Sequence, residues 1–188
     1  VGFSSSAHVY NIPPRYFPTD ENHPLRLNNT YTTTKLLSEQ LCHLYWENHG
    51  LSYTVLRLYN AYGPGQATGY FIPDQIEKAK TGAIHLKGCD TTKDFVYVDD
   101  VARAFVLAVE SPFVGAVNIG TGRETTLSDI AHFLATKMGA KYTEEKGGAT
   151  RMQADISRAK RILGWDYTKN VWEGLIAVLD HEKSAILS

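Results

Sequence analysis

The chain has 188 residues, 43% hydrophobic and 21% charged, which suits a globular protein of one ordinary domain with at most a small appendage. Its 19 Lys and Arg oppose 20 Asp and Glu, a balance that argues against nucleic acid or an anionic membrane as a partner held by bulk charge. Cys42 and Cys89 form neither a disulfide framework nor a metal spacing, and no apolar run reaches membrane-spanning length. A reducing, cytoplasmic setting is therefore expected.

In chain order, Val1 to Phe3 reads as the end of a buried strand. Ser4-Ser5-Ser6 follows at its C-terminal tip, where open α/β sheets bind ligands. Residues 11–29, rich in Pro and Asn, read as a long loop of the kind that is more often functional than idle. Asn28-Asn29-Thr30 supplies capping residues for a helix over 31–49 that stops at Gly50. Leu37, Leu41, Leu44 and Tyr45 recur along it at helical spacing.

A strand is predicted over 52–58 and a loop over 59–66, then a helix over 71–81 and strands over 84–87 and 95–98. Asp99-Asp100 caps a helix running to about residue 110 and gives it an acidic first turn. A strand over 116–119 follows, then a helix over 127–138, a weak strand over 141–143, a helix over 156–163 ended by Gly164, and a last helix from 171 to about 186. Strand, loop, helix, strand is half of a doubly wound α/β sheet.

Two side chains stand out chemically. Tyr31 and Lys35 are four apart, so they share one helical face. A free phenol is a poor base at neutral pH, and a nearby ammonium favours its ionised form. A serine hydroxyl from 4–6 aimed at the same point would donate to a substrate oxygen, completing a device for moving a proton on or off an alcohol.

Two glycine patterns, Gly63-Pro64-Gly65 with Gly69 and Gly120-Thr121-Gly122, each follow a strand. Neither has the G-x-G-x-x-G spacing, and Pro64 lacks an amide that a phosphate loop would need. Both read as tight turns. The seven histidines, His8 among them, form no metal-ligand spacing; each reads as structural or exposed, and no metal site is expected.

Several further motifs follow in order: Ser4-Ser5-Ser6-Ala7-His8-Val9-Tyr10, Asp20-Glu21, Tyr31-x-x-x-Lys35, Arg57-x-x-Asn60-x-Tyr62-Gly63-Pro64, Asp94-Phe95-x-Tyr97-Val98-x-Asp100, Asn118-Ile119-Gly120-Thr121-Gly122, Ala154-Asp155-Ile156-Ser157 and Leu163-Gly164-Trp165. Together they resemble the extended short-chain dehydrogenase/reductase family, in its NAD-dependent nucleotide-sugar epimerase/dehydratase branch.

The resemblance implies part of a Rossmann-type doubly wound parallel sheet (residues 1–60 and 94–114) with a smaller α/β substrate-binding domain (61–93 and 115–188). It implies NAD as cofactor and a nucleotide-sugar as substrate. It also implies that this is the C-terminal part of such an enzyme, inactive alone, with the glycine-rich NAD loop in a segment before Val1. The first strand would then need a cover: a homodimer partner, or a segment supplying the missing strands.

By the same resemblance, Tyr31 is the base and acid, Lys35 assists it and reaches the nicotinamide ribose, and Ser6 holds the reacting sugar oxygen. Ser4, Ser5 and Tyr62 would border the cofactor. Asn60, Phe71, Ile72 and Pro73 would contact the nucleotide-sugar, and Lys93 and Arg151, with Lys146, stand as replacements for the family's diphosphate-gripping arginines. Family dehydratases carry Asp-Glu after the Ser/Thr; Ala7 and His8 stand here instead, which disfavours dehydration. The implied chemistry is epimerisation, usually at C4, with hydride lent to the cofactor and returned on the other face; a dehydratase or reductase of the same branch, or a non-enzymatic nucleotide-sugar-binding remnant, is the alternative.

Overall fold

The structure, a computed structural model, describes residues 1–148 and 150–186. Its first half runs β1 (Gly2–Ser6), a 3-10 turn (Ala7–Val9), a long excursion, α1 (Thr30–His49), β2 (Thr54–Leu58), β3 (Asn60–Tyr62), α2 (Phe71–Lys80) and β4 (Ala83–Lys87). Then come β5 (Thr92–Lys93), β6 (Phe95–Tyr97), α3 (Val98–Glu110), β7 (Gly115–Ile119), β8 (Thr125–Thr126), α4 (Leu127–Met138), β9 (Lys141–Glu145), a π turn (Ala159–Leu163) and α5 (Val171–Ile186).

Strands β1, β2 and β7 form a parallel sheet in that order, with β2 central. The register puts Ser5 beside Arg57 and Arg57 beside Asn118, so one polar row crosses the sheet near its carboxyl end. Alternation along each strand turns the neighbouring residues the other way. Leu56, Val117 and Ile119 enter an apolar core with Val101, Ala104 and Ala108 of α3 and with Leu163 and Trp165. Trp165 is wholly buried, and its indole N–H donates to the Asp100 carbonyl at 2.8 Å.

A second core gathers α2, α4 and α5 around the parallel pair β4–β9. Strand β6 is the shared wall: Phe95 and Tyr97 belong to the second core, and Val96 between them belongs to the first. In α5, a Cβ at Gly174 would overlap the Tyr62 ring and hydroxyl, so glycine is what lets the helix approach that closely.

These cores redraw the expected division. Residues 115–119 pair in the sheet with β2, and Ala154, Ile156, Ala159, Leu163 and Trp165 pack into the first core, so neither segment belongs to the second. Burying an indole requires a deep apolar site, and α3 with the sheet provides it. Smaller differences are local. Residues 60–62, expected as loop, form β3 beside β6, and the expected helix over 156–163 is present over 157–163, most of it widened to a π turn.

Helix α1 forms where expected, but its apolar spacing does not mark a buried face. Its apolar residues Leu37, Leu41, Leu44 and Tyr45 face outward, Leu37 being 59% and Leu41 55% exposed. The face turned inward is polar, with only Thr32, Leu36 and Glu39 buried. Asn29 caps it: its side chain accepts from the Thr32 N–H at 2.9 Å and its own N–H donates to Thr32 Oγ1 at 3.1 Å. Among the described residues no helix is long and apolar enough to cross a membrane.

Candidate active site

A cleft of about 390 Å³ opens at the carboxyl ends of β1 and β2, the place where parallel α/β sheets bind ligands. The tip of β1 supplies Ser4, Ser5, Ser6 and His8, and α1 supplies Tyr31. The segment leaving β2 supplies Asn60, and α2 with its approach supplies Tyr70, Phe71 and Ile72. Lys93 and Phe95 close the far side. Of the residues singled out from the sequence, Ser4, Ser5, Ser6, Tyr31, Asn60, Tyr62, Phe71, Ile72 and Lys93 are therefore brought together.

Tyr31 sits in the first turn of α1 and is 51% exposed, so its phenol is open to a ligand. Lys35 lies one turn further on. Its Nζ donates to the Ser4 carbonyl at 2.8 Å and is 5.7 Å from the centre of the Tyr31 ring. The lysine thus ties the helix bearing the phenol to the strand tip bearing the serines. Ser6 is nearly buried, and its Oγ accepts the His8 N–H at 3.2 Å, which fixes the hydroxyl at the turn into the 3-10 segment.

The cationic side of the cleft is Lys93, which makes no ion pair among the described residues. Burial holds its ammonium below the ordinary lysine value. Burial, and then the charge of Lys93, hold the His8 imidazole below its ordinary value. His8, expected as structural or exposed, lies in the cleft wall, where its surroundings favour the neutral imidazole. Asn60 is fixed from behind, its Nδ2 donating to the Asp94 carbonyl at 3.0 Å.

Two of these, Ser5 and Tyr62, have hydroxyls bonded within the protein, and two further expected residues, Pro73 and Arg151, lie outside the cleft. Ser5 lines the cleft, and its hydroxyl donates to Glu39 Oε1 in a buried pair. Tyr62 is 2% exposed, with its hydroxyl on the Val171 carbonyl at 3.1 Å and its ring against Phe95 and Tyr97. Its ring packs into the second core while the residue also lines the cleft. Pro73 lines a separate recess with Gly63, Thr68 and Val178. Arg151 pairs with Glu124, at 2.9 Å through Nε, and lies over the Phe17 ring at 4.4 Å, outside the cleft.

The second glycine turn, expected like the first as a tight turn, has a structural role. The Asp94 carboxylate accepts from the N–H groups of Thr121 at 2.7 Å, Gly122 at 2.9 Å and Ala154 at 3.1 Å. A Cβ on Gly120 would lie 2.8 Å from the Ala154 Cβ and 2.9 Å from Asp94 Oδ2. The loop amides of 120–122 are thus spent on a protein carboxylate. Asp100, expected as a simple helix cap, instead holds a neighbouring loop: its oxygens accept from Thr168 N–H at 2.9 Å, Thr168 Oγ1 at 2.8 Å and Lys169 N–H at 3.2 Å.

Sequence reading also passed over Glu39, although its place four residues after Lys35 puts both on one helical face. Glu39 and Arg57 form a buried pair at 2.7 Å.

The first 120 residues match the family model described as the NAD dependent epimerase/dehydratase family. A putative UDP-glucose 4-epimerase of Methanocaldococcus jannaschii is 33% identical over 98% of this chain and 63% of its own length. The UDP-glucose 4-epimerase of Mycolicibacterium smegmatis is 31% identical over 96% of the chain and 61% of its own. The crystal structure of UDP-glucose 4-epimerase from Thermotoga maritima with UDP-glucose superposes with a TM-score of 0.89 at 32% identity, across 98% of this chain and 63% of that one. The chain thus spans about three fifths of the length of these relatives.

Proposed function

The chain belongs to the NAD dependent epimerase/dehydratase family, and we propose that the protein containing it is a nucleotide-sugar 4-epimerase with Tyr31, Lys35 and Ser6 at its reacting centre. The observation that carries this reading is the Lys35 bridge, which joins the Tyr31 helix to the serine tip of β1 at the mouth of one cleft.

The family is NAD dependent, and the donor set here suits the nicotinamide end of that cofactor. The Lys35 ammonium, the Tyr31 phenol and the Ser6 hydroxyl gather where β1 and β2 end. The amides of Thr121 and Gly122 are held by Asp94, so this loop is not a pyrophosphate cradle. When bound, NAD supplies the hydride acceptor and donor.

In this proposal the chain's own residues do the proton work. Tyr31 takes a proton from a sugar hydroxyl and later returns it. Lys35 stabilises the phenolate by its charge. Ser6 donates to the same sugar oxygen as negative charge grows on it. Asn60 and Lys93 face the diphosphate; Lys93 brings charge without the two-pronged grip of an arginine. Phe71 and Ile72 offer an apolar wall to the nucleotide. Beside Ser6 stand Ala7 and His8, with no carboxylic acid to drive out a hydroxyl, which favours epimerisation over dehydration.

Association follows from two exposed features. β1 is paired on one side only among the described strands, and the outward leucines of α1 form an apolar stripe. A further strand beside β1 and a second copy against α1 are the proposed covers. A cytoplasmic location belongs to the same proposal, since UDP-sugars and NAD meet there.

The test uses the full-length protein that carries this chain, with UDP-glucose, UDP-N-acetylglucosamine and UDP-glucuronate each followed by proton NMR. Signals of the C4 epimer support the proposal. A 4-keto-6-deoxy product, a pentose with carbon dioxide, or no turnover of any of the three would overturn it.

A further inference from the structure

The inward face of α1 carries little apolar surface, so packing alone does not fix where the helix sits. Its stripe of leucines points to solvent, and its buried residues are Thr32, Leu36 and Glu39. A helix docked this way is free to slide or roll unless polar contacts stop it. Glu39 supplies three such contacts. Arg57 Nε donates to Oε1 at 3.2 Å and Nη2 to Oε2 at 2.7 Å, while Ser5 Oγ also donates to Oε1. Both side chains are almost wholly buried, at 6% and 7% exposed.

Arg57 in turn cannot follow a moving helix. Its Nη1 donates to the Tyr10 hydroxyl at 3.2 Å and to the Glu21 carbonyl at 3.3 Å. The Tyr10 hydroxyl donates to Asn118 Oδ1 at 2.6 Å, and the Asn118 N–H donates to Glu21 Oε1 at 2.8 Å. Arg57 is therefore anchored in the polar row that crosses the sheet. A forked carboxylate–guanidinium pair fixes direction as well as distance, unlike a single hydrogen bond.

We propose that Glu39 and Arg57 are positioning residues: their buried fork sets the seat of α1 on the sheet and so holds Tyr31 and Lys35 against the serine tip of β1. The proposal rests on the catalytic reading above for its kinetic consequence, though not for its geometry. A misplacement of about 1 Å at a reacting centre is worth roughly a hundredfold in rate. Substrate binding, spread over Asn60, Phe71, Ile72 and Lys93, would be left nearly untouched.

The test compares the full-length protein with E39Q and with the double variant E39L/R57M. Replacing a buried ion pair with apolar residues of similar size is often neutral for stability, whereas removing one partner is not. The double variant is therefore expected to melt closer to wild type than E39Q does. Its kcat should nevertheless fall roughly 10- to 100-fold, with KM for the UDP-sugar changed less than about threefold. Its crystal structure should show the Lys35 Nζ drawn out of hydrogen-bond range of the Ser4 carbonyl. E39Q should lose kcat and melt lower.

Recovery of kcat together with melting temperature in the double variant would reduce the pair to a structural prop and sink the proposal. So would α1 lying in its wild-type seat there. If the wild-type protein turns over no UDP-sugar, the catalytic reading fails, and the position of α1 in the double variant alone decides for or against the positioning role.

Discussion

The Asp94 carboxylate and the Thr121 backbone N–H meet at 2.7 Å, joining the strand that closes the cleft to the loop that leaves β7. The same carboxylate accepts from Thr121 Oγ1 at 2.7 Å, from Gly122 N–H and from Ala154 N–H. Asp94 has no exposed surface. Burial pushes its pKa up, and these donors pull against that rise. The residue stands where the two cores share β6, so a fault here reaches both.

Asp94→Asn should therefore destabilise strongly. An amide offers one acceptor oxygen where the carboxylate offered two, and it turns a donor towards N–H groups that need acceptors. A buried donor left unpaired costs about 1–3 kcal/mol, so a loss of roughly 3 kcal/mol or more is expected. Urea unfolding with an unchanged slope measures it. A midpoint within error of wild type would show that Asp94 does not organise this junction.

Tyr31→Phe in the full-length protein should lower kcat about 10²- to 10⁴-fold, the usual yield of a placed proton donor and acceptor. Stability should move by less than about 0.5 kcal/mol, because the side chain is half exposed and remote from both cores. The paired measurements are steady-state kinetics and thermal melting. Retention of kcat within threefold would remove Tyr31 from the chemistry.

Asp100 predicts an acid-sensitive contribution to stability. Burial alone would raise its pKa, but donors from Arg103, Thr168 and Lys169 outweigh burial and leave it below the ordinary aspartate value. With the folded value below the unfolded one, its contribution is full above the unfolded pKa and is lost as pH falls through the folded pKa. The stability gap between wild type and Asp100→Asn should hold steady above about pH 5 and narrow as pH drops toward 3. Denaturant midpoints across that range measure it, and a gap that widens in acid would contradict the geometry.

His8 should titrate below a free imidazole in a pH series of histidine NMR spectra, its signal assigned with His8→Gln. Burial is the larger cause and the charge of Lys93 the second. Lys93→Met should therefore bring the midpoint part of the way back up. An unmoved midpoint would place Lys93 too far away to sense the ring.

Several features were legible before any coordinates. The Tyr31–Lys35 spacing placed two side chains on one face because an α-helix repeats every 3.6 residues. The strand-to-serine reading of residues 1–6 put hydroxyls at a sheet tip, and the ordered motifs pointed to the family. Local chemistry sufficed for each of these.

What tertiary structure alone decided was direction. Leu37, Leu41 and Leu44 keep helical spacing whichever way the helix is rolled, and only docking on the sheet shows that they face out while Glu39 faces in. Tyr62 sits in a motif whose spacing says nothing of its partners, and Arg151 stood only as a candidate cation; the second core takes the Tyr62 ring and Glu124 pairs with Arg151. The strand at 115–119 could join either unit until its register with β2 placed it in the sheet. Periodicity names the faces of an element, but only burial against distant residues chooses among them.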